Sequence, residues 1–133
     1  MSVLCRKKEI ESYWVEYKLK TEIIHSEKGD LSYCKMNNEI ITTSSDFLET
    51  MINCPTETIV LDKDSLNQEF FNLKTGVAGE FLQKISNYKR RLIVLGNYEN
   101  IKSKSLNDFI YESNKTGKVI FTKTIEEAIQ LLK

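Results

Sequence analysis

The sequence has no excess of charge of either sign: nineteen lysines and arginines stand against nineteen aspartates and glutamates. A protein that grips nucleic acid through phosphate contacts is expected to carry a basic surplus or a basic stripe. The densest basic runs, Arg6-Lys7-Lys8 and Lys89-Arg90-Arg91, are short and read as solvated surface. Long apolar runs are missing too. Nothing approaches the roughly 20 residues that cross a bilayer, so no membrane span is expected. The opening MSVLCRKKEI has no apolar stretch behind its charges, so a secretory signal is not expected and a cytoplasmic location is.

Metal and redox patterns are sparse. Cys5, Cys34 and Cys54 are odd in number, far apart, and form no CxxC pair. Neither a disulfide framework nor a zinc knuckle is expected, and the three read as reduced thiols packed like small hydrophobes. The one histidine, His25, falls in an expected strand without Asp, Cys or Glu at ligand spacing. A lone imidazole is weak ground for a general base. Glycine is absent from Glu69-Phe70-Phe71-Asn72-Leu73, ahead of Lys74-Thr75-Gly76. A phosphate-binding P-loop ending in GK[ST] needs that earlier glycine so that backbone amides can wrap the phosphate. No nucleotide loop, cofactor or metal is expected.

What is present is the composition of an ordinary globular domain: 133 residues, 41% hydrophobic and 29% charged. Residues 1–20 stand apart as an N-terminal extension. Ile10, Tyr13, Trp14 and Tyr17 share one face at helical spacing, although a strand stays open from Trp14 onward. That face either packs on the domain or is offered to a partner or a second copy, which leaves a homodimer open. Residues 21–133 read as one domain. A hairpin comes first, Thr21–His25 and Leu31–Met36 around a turn containing Gly29. Glu39–Thr42 reads as a short strand or a strand end. Thr43-Ser44-Ser45 caps a helix over Asp46–Ile52, which Pro55 stops.

Thr58–Leu61 is a buried strand, followed by a loop. Ala78, Phe81, Leu82, Ile85 and Tyr88 then mark one face of a second helix. Leu92–Leu95 is a strand closed by Gly96. A third helix opens at Lys102–Ser105, with Leu106, Phe109 and Ile110 as its apolar stripe and Gly117 as its stop. Val119–Phe121 is a strand, and Thr124 with Glu127 makes a capping box for a last helix. Strands alternating with helices predict an α/β fold: a small mixed, mainly parallel sheet with about four helices packed on it. No repeat or linker divides it.

The stretch EFFNLKTGVAGEFLQKISNYKRRLIVLGNY, followed by IKSKSLNDFIYESNKTGKVIF and TIEEA, resembles an uncharacterised bacterial family, domain of unknown function 4180. The resemblance runs from about Thr21 to the C-terminus and implies no activity. The order of elements is also similar to the STAS domain of anti-anti-sigma factors. There, a Ser- or Thr-Gly pair opens the second helix and carries a phosphorylatable hydroxyl. Leu73-Lys74-Thr75-Gly76-Val77-Ala78-Gly79 occupies that place here, with Leu-Lys-Thr-Gly standing for the usual Asp-Ser-Ser-Gly. The resemblance implies a partner contact or switch at Thr75, with Lys74, Gly76 and Gly79 around it.

Residues alone leave two readings of this stretch. Thr75 is either a plain N-cap or an exposed hydroxyl at a helix start, where an added phosphate meets free amides. Gly76 and Gly79 serve either close helix–sheet packing or the approach of a partner's backbone. A second set, Asp62, Asp64, Gly96 and Asn97, follows strand ends, where α/β proteins bind ligands. With no catalytic constellation recognisable, the expected function is a non-catalytic regulatory module that binds a protein partner. The alternative is a small-ligand or anion-binding domain, enzymatic or not, with its site at the C-terminal edge of the sheet.

Overall fold

The computed structural model describes residues 19–36 and 40–133. The face formed by Ile10, Tyr13, Trp14 and Tyr17 lies outside them. Strands β1 (Leu19–Ile24) and β2 (Leu31–Met36) form the expected antiparallel hairpin, with Ile24 opposite Leu31. β1 starts and stops slightly earlier than expected, so His25 belongs to the turn and not to the strand. There its ring nitrogen is 2.8 Å from the Asp30 carboxylate on the exposed surface.

Helix α1 (Ser44–Ile52) starts at a reciprocal cap: Thr43 Oγ1 accepts from the Asp46 N–H, and the Asp46 carboxylate accepts from the Thr43 N–H. The strand expected over residues 39–42 reduces, in its described part, to one parallel bridge between Ile41 and Leu66. The partner segment explains this. Lys63–Ser65 is a 3-10 turn, so only Leu66 is extended enough to pair with Ile41. β3 (Thr58–Asp62) is followed by that turn and by two more, Gln68–Phe71 and Leu73–Thr75. Then come α2 (Val77–Asn87), β4 (Arg91–Leu95), α3 (Lys104–Thr116), β5 (Val119–Thr122) and α4 (Ile125–Leu131).

The five strands lie in the order β1-β2-β3-β4-β5, with β2 to β5 parallel. Each parallel strand sits beside its predecessor, so the crossovers advance in one direction. Right-handed crossovers then put α1, α2 and α3 on the same face. Strand alternation serves the two faces separately. Ile59, Leu61, Leu92, Val94 and Phe121 pack under those helices with Phe47, Met51, Phe81, Ile85 and Ile110. Val60, Ile93 and Ile120 face the other way, under Ala128 and Leu132 from α4 and the chain end. The fold is therefore mixed α/β.

An aromatic band holds the three-helix face together. Phe47 of α1 stacks on Phe81 of α2 at 4.7 Å, and Phe70 meets Phe81 edge-on at 5.4 Å. Phe121 of β5 continues the band to Tyr98 and Phe109. Tyr88, expected on the inner face of α2, instead lies one residue past the helix and is 49% exposed. The next residue explains it: Lys89 takes a positive φ of 54° and turns the chain toward β4. The basic run at 89–91 is also not simple solvated surface. Only Lys89 is fully exposed. Arg90 donates to the carbonyls of Met51, Cys54 and Thr56. Arg91 is buried and donates to the main-chain oxygens of Lys28 and Lys133.

Candidate functional site

β3, β4 and β5 end at Asp62, Leu95 and Thr122 on one edge of the sheet, and α2, α3 and α4 begin there. This carboxyl-end edge is where open α/β sheets gather ligands and contacts. All eight residues singled out in the sequence lie on it or on the approach to α2, and they fall into two groups.

The first group is Asp62, Asp64, Gly96 and Asn97. These residues share the edge, with Lys63 among them. Asp62 closes the strand and accepts a 2.6 Å hydrogen bond from the Tyr33 hydroxyl, tying β3 to β2. Asp64 is exposed in the first 3-10 turn. Gly96 lies directly beneath the stem of Lys63. A Cβ built on Gly96 would stand 2.7 Å from Lys63 Cβ, so only glycine fits there. The Lys63 ammonium reaches the Asn97 carbonyl at 3.4 Å and lies 5.2 Å from the ring centres of both Phe71 and Tyr98. That is cation–π geometry. Lys63 thus spans the ends of β3 and β4.

Sequence reasoning missed Lys63, Tyr33 and Tyr98. Lys63 follows a strand end among other polar residues, and nothing local marks it. Tyr33 meets Asp62 only because Tyr33 pairs with Val60 in the parallel register. The phenols have changed properties. Burial, the hydrogen bond to Asp62 and the carboxylates of Asp62 and Glu22 push Tyr33 up to about 12. Burial alone pushes Tyr98 higher still. Both are neutral phenols at physiological pH, suited to holding geometry and poorly suited to giving up protons.

The second group is Lys74, Thr75, Gly76 and Gly79. Thr75 is not the N-cap of α2. It ends the third 3-10 turn, and Gly76 is the cap residue, with φ 79° and ψ 0°. A glycine there avoids the cost that a side chain pays in the left-handed region. The Thr75 hydroxyl accepts from the Val77 N–H at 3.2 Å and has the Asn72 and Glu69 carbonyls within 2.8 and 2.9 Å as acceptors. It therefore organises the approach to the helix while Thr75 itself remains exposed. Lys74, Gly76 and Gly79 are exposed as well. Among the described residues, a Cβ on Gly79 would meet nothing within 4 Å. Close helix–sheet packing therefore explains neither glycine among the described residues: Gly76 serves backbone conformation, and nothing described packs against Gly79 in a way that requires its smallness.

Cys34 of β2 and Cys54, just past α1, are both buried and free, with their sulfurs 2.8 Å apart. The bond between the thiols and their burial raise Cys54 well above the usual thiol range, and Arg90 opposes that only in part. Cys5 lies outside the described residues. Among the described residues, no group of three His, Cys, Asp or Glu side chains could hold a metal ion. No described helix is long and apolar enough to cross a membrane.

Comparison with curated proteins finds none that matches. The model of one family, described as domain of unknown function (DUF4180), matches residues 26–132, which is most of the chain. The hairpin turn, all four parallel strands and all four helices fall inside that span, and on this match the chain belongs to the DUF4180 family.

Proposed function

We propose that this domain is a non-catalytic regulatory module of the cytoplasm, and that it binds a protein partner through the start of α2. The carrying observation is Gly79. A glycine inside a helix costs about 1 kcal/mol relative to alanine, and among the described residues no contact offsets that cost. A partner whose backbone lies against α2 would supply the missing reason. Thr75 and Gly76 stand one turn earlier on the same exposed stretch. The succession of parallel strands, each beside the last, supports a STAS-like reading of the fold, in which the start of the second helix is the contact surface.

Phosphorylation of Thr75 would switch that contact. It would add a charge of about −1.5 to −2 where the cap residue, Gly76, has no side chain to satisfy the first-turn amides beyond Val77, whose N–H already donates to the Thr75 oxygen. The phosphate would be held by those amides and the positive end of the helix. An acidic or closely packed partner would then be expelled. The ligand-binding alternative has less support, because Lys63 spans the ends of β3 and β4.

The test compares affinity captures with the wild type, Thr75→Glu and Thr75→Ser. Glutamate is expected to release the partner while the serine variant, which keeps the hydroxyl and its local bonds, retains it. Equal retention by all three would end the switch. If all three failed to capture any specific protein, the interaction reading itself would fall.

A further inference from the structure

We propose that Cys34 and Cys54 form a reversible dithiol–disulfide pair that staples β2 to the end of α1. The sequence gives no hint of it, since the two residues are 20 positions apart and in no motif. The fold brings the sulfurs to 2.8 Å, about 0.8 Å beyond a disulfide bond. This spacing is too short for a shared metal: two thiolates on one tetrahedral zinc, each about 2.3 Å from it, stand roughly 3.7 Å apart. Forming the bond asks the two sulfurs to close by about 0.8 Å. Paired cysteines of this kind in a reducing compartment are typically transient redox devices and not permanent staples.

The oxidant is a small disulfide. Cys54 is the entry point, because it lies outside any helix or strand and is 3% exposed, whereas Cys34 within the sheet is fully buried. When the segment after α1 opens and hydrates Cys54, its thiol loses a proton, and the thiolate attacks the oxidant to form a mixed disulfide, releasing one thiolate. Cys34, losing its proton, then attacks Cys54 Sγ and releases the second thiolate. Two electrons pass to the oxidant, which leaves as two thiols carrying the two protons. Access requires the segment after α1 to open, and Arg90 restrains it by holding the carbonyls of Met51, Cys54 and Thr56. Arg90 is thus a positioning residue that sets how fast the pair oxidises, not whether it can.

The experiment uses the full chain carrying Cys5→Ala, so that Cys34 and Cys54 are the only thiols. The folded protein is treated with 2-hydroxyethyl disulfide, then alkylated after denaturation, and mapped by mass without reduction. The expected product is the Cys34–Cys54 cross-linked peptide. It should bring a rise in Tm on the order of 10 °C, reversed by a reductant and absent in Cys54→Ala. Arg90→Met should speed the oxidation several-fold at an unchanged end point. Recovery of both thiols alkylated, a stable mixed disulfide on Cys54, or a cross-link that lowers Tm would each overturn the proposal.

Discussion

Tyr33 shows how one contact changes a residue's chemistry. Its hydroxyl donates to Asp62 from a partly buried position, and its pKa rises from 10.0 to about 12. The neutral phenol is the form that the fold favours. Its contribution to stability is therefore complete below about pH 10 and is lost as pH rises through about 12. Denaturation profiles should accordingly be flat in this contribution near neutrality and slope downward in strong alkali. Tyr33→Phe should remove part of that slope. In a phenol titration by ultraviolet absorbance, Tyr33→Phe should remove amplitude from the strongly alkaline end of the curve. A Tyr33→Phe variant whose alkaline profile overlays the wild type would show that Tyr33 contributes no such pH dependence. Neither Tyr33 nor Tyr98 stands out in the sequence, because the burial and the carboxylate that perturb them come from other strands.

Helix α2 carries the clearest conflict between local propensity and sequence. Val77–Asn87 presents Ala78, Phe81 and Ile85 to the core at helical spacing. That periodicity was legible without coordinates. Its outer side carries a glycine that the helix does not need. Gly79→Ala should raise stability by about 0.5–1 kcal/mol, read from urea unfolding, because a methyl there meets open space. The same variant should weaken partner capture if a backbone approaches that spot. Loss of stability would mean that Gly79 is held by something other than the contacts described here, and would remove the main support for the proposed interface. The capping box at Thr124 agrees with its sequence signature, and the cap of α1 falls on Thr43 within the expected Thr43-Ser44-Ser45 cluster. The cap of α2 does not: Thr75 was a reasonable candidate by type, but a left-handed Gly76 stands between it and the helix.

At the scale of the whole molecule, Arg91 joins pieces that are far apart in sequence. It sits at 9% exposure in β4 and donates to Lys28 in the hairpin turn and to Lys133 beyond α4. Its Nε makes no hydrogen bond and lies 3.7 Å from the Glu57 carboxylate, a loose ion pair at the start of β3. Charged hydrogen bonds of this kind are worth about 1.5–3 kcal/mol each, and leaving buried partners unmet adds to the loss. Arg91→Met should therefore cost about 2–4 kcal/mol in chemical denaturation, and the hairpin turn and α4 should lose hydrogen-exchange protection together. A loss confined to one of the two segments would show that Arg91 does not couple them.

The sequence by itself determined the elements and the class of fold. Periods of two and of 3.6, turn glycines and helix caps are local signals, set by backbone geometry within a few residues. Tertiary structure decided the rest. Which face each helix covers depends on the crossover direction, which gathers α1, α2 and α3 on one side and leaves α4 on the other. That Arg90 and Arg91 turn inward, that Lys63 spans the ends of β3 and β4, and that Cys34 meets Cys54 are all consequences of strand order and register. These contacts join residues tens of positions apart, and no period or motif within one segment encodes the distance between two others.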